Sequence, residues 1–477
     1  MDNEIKLNGK WLIPDTNEEL TGIIYINRRK KQILLKLFSL ASQECLIAPI
    51  KAFGHVDIIK GQIDTGGHIL LYDCTFGGQH NRIGQDTTVT VTVRAAFWNL
   101  DVDQKEDLCF QKVRIDFGEI IEWSGLCSFE WEFRGDTEGE GLIWKHEKDV
   151  EFKINDNVSL KIAAQMGSMS KWSFEKECTV KQNVYMYLEY QTATLWNDIL
   201  RDIQILNNLL TLGMNRAVYI DEIHYYHQSH QDERFPELIN DMEAVLGDGR
   251  NGKTSIRPGG YDYLFDLSNL VETDYECLRN WYNKYDKMRP VVELYEASYN
   301  FPGISAEMLF LNLVQALETY HARFVCDDLK QYIRLVDNFL RETYDLAEDA
   351  EWTDLAGSYR EILIAQDEKR SKAIVLKSRL GYLFLARFQY IFSYLGYKMT
   401  KFIDLVVDTR NYYTHYSQAK EDKIFPRDEL PYVNGILMGV LQYYILQEIG
   451  LPMEQIKEKV GRLISSVMQS YHIMKRA

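Results

Sequence analysis

The sequence predicts an α+β protein, with an antiparallel, sandwich-like β domain at the N-terminus and an all-α helical bundle after it. Three observations carry this prediction. Short β-branched runs with period-two alternation recur through the first 190 residues. The period changes near residue 195, where Leu195–Leu212 carries apolar residues at 195, 199, 203, 206, 209, 210 and 212. From Ser305 onward, apolar stripes at helical spacing follow one another to the end of the chain.

In order, the expected strands are Gly22–Ile26, Ile33–Phe38, His68–Leu71, Thr87–Trp98, Val113–Ile121, Val158–Ala163 and Val184–Glu189. Turn signals at Gly66-Gly67, Gly77-Gly78 and Gly135–Gly141 separate them, a spacing that suits a sandwich or a barrel-like sheet. Between 225 and 300 lies a segment rich in Tyr and Asn with a glycine loop at 247–260, read as a connecting or inserted region. Ser305 opens the first bundle helix as an N-cap, with Met308, Leu309, Leu313 and Leu317 behind it. Further helices are expected at Leu329–Tyr344, Asp354–Ile364, Ser371–Ser393, Lys398–Tyr416, Pro431–Ile449 and Met453–Met474, with Gly450 and Pro452 parting the last two. The expected domains are therefore 1–190 (β), 191–300 (a helical connector with an inserted loop) and 301–477 (the helical bundle).

A chain of 477 residues with 46% hydrophobic and 26% charged residues is globular in composition, which excludes disorder and collagen-like repeats. Seven scattered cysteines, an odd number without any C-x-x-C, point to reduced thiols and a cytoplasmic location. The start MDNEIKLNGK lacks the apolar core of a secretory signal. The apolar run Ile436–Leu446 contains Gln442 and falls short of the roughly 20 residues a membrane span needs. The net charge of −16 is uneven: 22 Lys and Arg balance 23 Asp and Glu from residue 300 onward, while the preceding part carries −15. Bulk electrostatics thus argue against nucleic-acid binding by the first part, and any phosphate-handling role rests on local clusters in the last.

Three motifs need weighing. Gly247–Thr254 matches G-x-x-x-x-G-K-[ST] in full, but a phosphate loop needs a buried strand before it and a helix after it. Leu238–Leu246 reads as an amphipathic helix, and Ser255–Gly260, with Pro258, cannot start one, so a surface loop is the better reading. His224, His227 and His230 form H-x-x-H-x-x-H without a carboxylate or Cys to reinforce them, so polar loop histidines are expected and no metal. The basic cluster Lys369, Arg370, Lys372, Lys377 and Arg379 is a candidate for positioning phosphate, or equally a solvated face paired with Asp367 and Glu368.

The informative stretch is Lys401–Tyr416, KFIDLVVDTRNYYTHY. On a helix, Asp404, Asp408, Asn411 and His415 fall within about 60° of one another, a polar stripe on an apolar helix. Arg410 lies about 140° from His415. Either the helix loosens near Thr409, or the two groups meet through a symmetric partner. Tyr412, Tyr413 and Tyr416 flank the pair, and aromatic faces stack on unpaired bases. The alternative is a helix-capping His415 with Arg410 paired to a neighbouring acid.

Arg410-Asn411-x-x-x-His415 resembles the R-x4-6-H motif, with Asn after the Arg, of the HEPN superfamily. The surrounding helices, with Ala316-Leu317-Glu318 and Asp337-Asn338-Phe339-Leu340-Arg341, resemble its ApeA-like branch. Gly9–Pro14, Gly22–Ile24, Ile33–Leu35, Ile58–Gly61 and Asp73-Cys74 are similar to the β domain that precedes HEPN in ApeA proteins. The resemblance implies a bacterial anti-phage (abortive infection) ribonuclease toxin that needs no metal or other cofactor. It also implies a homodimer or higher homo-oligomer with facing motifs, and structured RNA such as tRNA as a candidate target.

In that chemistry His415 accepts a proton from the RNA 2′-OH. Arg410 stabilises the phosphorane dianion, and Asn411 donates to phosphate or orients His415. Asp404 and Asp408 are candidates to hold the imidazole. Tyr412, Tyr413, Tyr416, Lys377 and Arg379 are candidates to bind substrate. The β domain is expected to sense a phage-derived trigger or restrain the nuclease, and no membrane partner is expected. The rival readings are a non-catalytic HEPN module that binds RNA or protein, and a nucleotide-dependent regulator using the 247–254 loop.

Overall fold

A computed structural model describes residues 4–13, 19–39, 54–80, 87–118, 120–133, 140–145, 148–172, 177–231, 239–247, 263–300, 303–344, 360, 363–364, 373–385, 388, 391, 398–416 and 423–476. The chain divides into two compact units, residues 1–210 with 218–260, and residues 211–217 with 261–477.

The first unit is built on one twelve-stranded, wholly antiparallel sheet. Its first six strands are consecutive in sequence: β1 (Glu4–Leu12), β2 (Glu19–Asn27), β3 (Gln32–Ser39), β4 (His55–Ile63), β5 (His68–His80) and β6 (Thr87–Trp98). They pair in the order β6-β3-β2-β1-β4-β5, and β5 pairs back to β6, so this part closes on itself as a ring. Of the two architectures the turn spacing allows, the barrel-like one is present. Alternation explains the interior: Leu20, Ile24 and Ile26 of β2 face Ile33, Leu35 and Leu37 of β3 and Val89, Val91 and Val93 of β6, all buried. Trp11 fills the ring, and Gly61 is required opposite it, since a Cβ there would lie 2.2 Å from the indole.

The sheet continues from the far half of β6. Residues Ala95–Phe97 pair with β14 (Ile239–Leu246), which pairs with β13 (Glu222–Gln231), then β7 (Cys109–Asp116), β12 (Glu177–Leu195), β11 (Val158–Trp172) and β10 (Val150–Lys153). A short helix α1 (Ile120–Ser124) and a separate hairpin of β8 (Phe129–Phe133) and β9 (Glu140–Trp144) complete the strand region. Helix α2 (Trp196–Met214) follows β12 as the change of period predicts. Phe97, Phe110, Trp196 and Tyr225 meet with ring centroids 4.8–5.9 Å apart. The core therefore draws on residues before and after α2.

This corrects the reading of 191–300 as a helical connector. Residues 222–246 supply two strands of the sheet, and Leu238–Leu246 is not an amphipathic helix. Val113–Ile121 is also divided, strand β7 ending at Asp116 and helix α1 starting at Ile120.

The second unit is helical: α3 (Leu267–Glu272), α4 (Glu276–Asn300), α5 (Ala306–Tyr320), α6 (Leu329–Tyr344), α7 (Leu376–Leu385), α8 (Met399–His415), α9 (Leu430–Ile449) and α10 (Met453–Arg476). Ser305 caps α5 by accepting the Met308 N–H at 3.2 Å. A π-helical turn, His321–Val325, continues α5. Helix α9 is buried on nearly all sides, which explains why its apolar residues run without a polar face. Most of the helices expected at Asp354–Ile364 and beyond Leu385 to Ser393 lies outside the described residues. No described helix is long and apolar enough to cross a membrane.

Candidate functional site

Helix α8 carries the candidate site, and its sequence explains its seating. Met399, Phe402, Ile403, Val406, Thr409 and Tyr413 form a buried arc at helical spacing. Phe402 packs between Phe384 of α7 and Phe425, with centroids 5.6 Å from each. The helix stops where Tyr416 adopts a left-handed conformation (φ 48°) and returns its N–H to the Tyr412 carbonyl at 2.5 Å.

The helix runs unbroken through Thr409. Loosening there is therefore not what relates Arg410 to His415; the two leave one regular helix about 140° apart. Arg410 emerges beside the buried arc, half-buried. Its guanidinium donates to the Asn411 side-chain oxygen at 3.3 Å and has no carboxylate partner among the described residues. His415 is exposed in the last turn, without a hydrogen-bond partner among the described residues. Neither feature of the capping alternative is present there: no acid among the described residues holds Arg410, and the imidazole is turned to solvent.

The other expected site residues divide. Asp404 is exposed and pairs with Lys377 at 2.7 Å, so acid and base neutralise each other on the imidazole's own helix face but about three turns away from it; Asp408 is half-buried. Tyr412, Tyr413 and Tyr416 form a ring cluster with centroids 5.2–6.2 Å apart. Only Tyr416 is broadly open, at 68% exposure, while Tyr413 is buried and its phenol pKa is raised by that burial. Tyr413 is thus part of the core arc, and of the three only Tyr412 and Tyr416 remain candidates for stacking.

Arg379 is turned inward, contrary to a surface role in phosphate positioning. Its Nε donates to the Ile374 carbonyl at 3.3 Å, one terminal nitrogen lies 3.3 Å from Nδ1 of His321, and the other meets Asp327 at 2.6 Å. His321 has no exposed surface, and burial with the adjacent Arg379 charge pushes its pKa down to about 3. The physical reason is the π-turn: it sets His321 into the core, where a fixed donor is needed at Nδ1. Lys369, Arg370 and Lys372 lie outside the described residues.

In the first unit, the three histidines sit on β13 and not on a loop. His224 lies 3.1 Å from Asp241 and 3.2 Å from Glu222. Burial works against its charge, the two carboxylates overcome that, and its pKa is raised. His230 Nε2 lies 2.8 Å from the Asn99 carbonyl, and His227 meets the edge of Phe110. Among the described residues no three His, Cys, Asp or Glu side chains converge as metal ligands.

The glycine motif begins at a strand end. Gly247 follows β14 and donates its N–H to the Arg94 carbonyl at 2.7 Å, and a Cβ there would lie 2.2 Å from the Val93 carbonyl. Close approach of two backbones accounts for this glycine without a phosphate; residues 248–262 lie outside the described residues.

Two neighbours of α8 carry no motif and escape sequence reasoning. Phe425, buried, donates its N–H to Thr409 Oγ1 at 3.0 Å. Arg427, two residues on, lies beside the Tyr413 hydroxyl and 3.4 Å from Glu307 of α5.

A family model described as ApeA N-terminal domain 1 matches residues 6–281, more than half of the chain, and one described as Apea-like HEPN matches residues 311–455. The first spans β13, β14 and the segment read as a connector up to residue 281; the second contains α8 and its motif. Comparison with curated proteins and with solved structures finds no match.

Proposed function

The chain belongs to the ApeA-like HEPN family, and on that premise we propose that it is a metal-independent endoribonuclease toxin of anti-phage defence, cleaving RNA through Arg410, Asn411 and His415. The observation that carries the reading is the state of the motif on α8. An arginine without a carboxylate partner among the described residues and an imidazole open to solvent, five residues apart, are available for a substrate.

The chemistry follows from the groups. His415 accepts the 2′-OH proton as the 2′ oxygen attacks the adjacent phosphorus. The P–O5′ bond breaks, and the 5′ oxygen leaves with a proton that the second copy's imidazole is suited to give. Arg410 offers fixed bidentate donors to the dianionic phosphorane, and Asn411, already bonded to it, holds its direction. Because Arg410 and His415 diverge around an unbroken helix, a site composed from two copies about a two-fold axis near α8 is the economical arrangement. Structured RNA such as tRNA is the proposed target, and the β unit the proposed sensor of a phage-derived trigger.

The test is incubation of purified protein with total RNA, with and without EDTA. Cleavage in both, leaving 2′,3′-cyclic phosphate and 5′-OH ends, is expected. Cleavage only with a divalent metal would eliminate this mechanism, and RNA binding without cleavage would instead favour a non-catalytic RNA-binding module.

A further inference from the structure

We propose that Arg427 is a phosphate-binding residue of the Arg410–His415 site, contacting the RNA backbone beside the cleaved linkage. The proposal rests on the ribonuclease reading above and names part of its substrate-binding surface.

Four observations converge on it. The loop before α9 is pinned to α8 by the hydrogen bond from Phe425 to Thr409, both buried, so the position of Arg427 is set by the motif helix itself. Its guanidinium lies beside the hydroxyl of Tyr413. Tyr413 is three residues after Arg410 and so its neighbour on the helix surface. That hydroxyl is buried without a well-aligned hydrogen-bond partner among the described residues. The two arginines therefore flank one tyrosine.

Arg427 is 81% exposed, and its one ion pair among the described residues is a 3.4 Å contact made through Nε. Its terminal nitrogens, which form the bidentate fork for phosphate, have no carboxylate partner among the described residues. Glu307, in turn, does not depend on Arg427. It sits in the first turn of α5, where its own backbone N–H and Ser305 hold the carboxylate and the arginine contributes least. Finally, of the five cations that the sequence nominates for phosphate, the two within the described residues are engaged, Lys377 with Asp404 and Arg379 with Asp327. In a chain of net charge −16, RNA affinity needs local cations, and Arg427 is one the fold leaves available.

The experiment measures binding of total RNA by the His415→Ala protein over a salt series, alone and with Arg427→Gln or Glu307→Gln added. Arg427→Gln is expected to weaken binding about five- to tenfold and to lower the slope of log K against log salt by roughly 0.7, one single-strand phosphate contact. In the His415 parent the same change should raise KM by a similar factor and affect kcat little. Glu307→Gln should leave binding unchanged or tighten it. Unchanged binding by Arg427→Gln, with both variants losing the same thermal stability, would mean a structural ion pair and overturn the proposal. A protein with His415 intact that neither cleaves nor binds RNA would remove the underlying reading, and the proposal with it.

Discussion

The backbone N–H of Phe425 donates to the hydroxyl of Thr409 across 3.0 Å, joining the loop before α9 to the middle of the motif helix. Thr409 has no exposed surface, so this acceptor has no competitor from water. Thr409→Val keeps the shape and removes the acceptor, leaving a buried N–H unsatisfied. The expected cost is about 1–3 kcal/mol, read from urea unfolding of the helical unit. Thr409→Ser, which keeps the hydroxyl, should lose clearly less.

His415 and Arg410 should separate activity from folding. His415→Ala is expected to lose at least ~10² in cleavage rate, the scale of a general base, and Arg410→Ala a similar or larger factor. Both variants should keep the parent's circular dichroism and oligomeric state, because neither side chain is in the core. RNA with 2′-deoxyribose at the cleaved position should be inert. A His415→Ala protein that cleaves normally would sink the mechanism.

Two basic residues two positions apart in sequence should differ in what they cost. Arg379→Met leaves the Ile374 carbonyl and His321 Nδ1 without their buried donor, an expected loss of ~2 kcal/mol. Lys377→Ala removes only a partly exposed pair with Asp404 and should cost less than ~1 kcal/mol. Thermal melts of the two variants side by side check the contrast.

The two units should respond to acid with opposite sign. The pKa of His224 is raised above 6.5, so its contribution is full below that pH and is lost as pH rises through the folded value. Its partners Glu222 and Asp241 are lowered by the same pairing, so their share is lost only below the ordinary carboxylate range. His321 is depressed to about 3, so its contribution is full above pH 6.5 and declines as pH falls toward 3. Between pH 8 and pH 5.5 the β unit should gain from His224 while the helical unit loses from His321. Comparing urea midpoints with those of His224→Gln and His321→Gln assigns each slope; equal slopes in a variant and its parent would refute that assignment.

Much of this was legible in the residues, for reasons that also mark its limits. Thr87–Trp98 reads as a strand, and is one from end to end, because β-branched residues alternate along it. Helix α8 begins after Lys398 and ends before Tyr416, as the stripe and the expected segment require. The strands β13 and β14 were hidden. One face of β13 is histidine and tyrosine, and the apolar residues of β14 are spaced as on a helix. Ala244 and Val245 are both buried there, as β14 passes between β13 and β6. At the site, Arg410, Asn411 and His415 are legible because they share a helix. Arg427 is not: its relation to Tyr413 depends on how the chain returns after α8, which no local spacing encodes.

The pairing of β14 with β6 also sets a timetable for biosynthesis. The ring of β1–β6 uses only contiguous strands ending at Trp98, so it can close while the rest of the chain is still being made. The far edge of β6 must wait for residues 244–246, which are translated almost 150 positions later. Until then Ala95–Phe97 and β7 present open edges to any other nascent strand. A fragment cut at residue 190 would keep those edges for good and aggregate, whereas one ending near 260 would cover them. The β unit thus completes its sheet before any ribosome has finished α8.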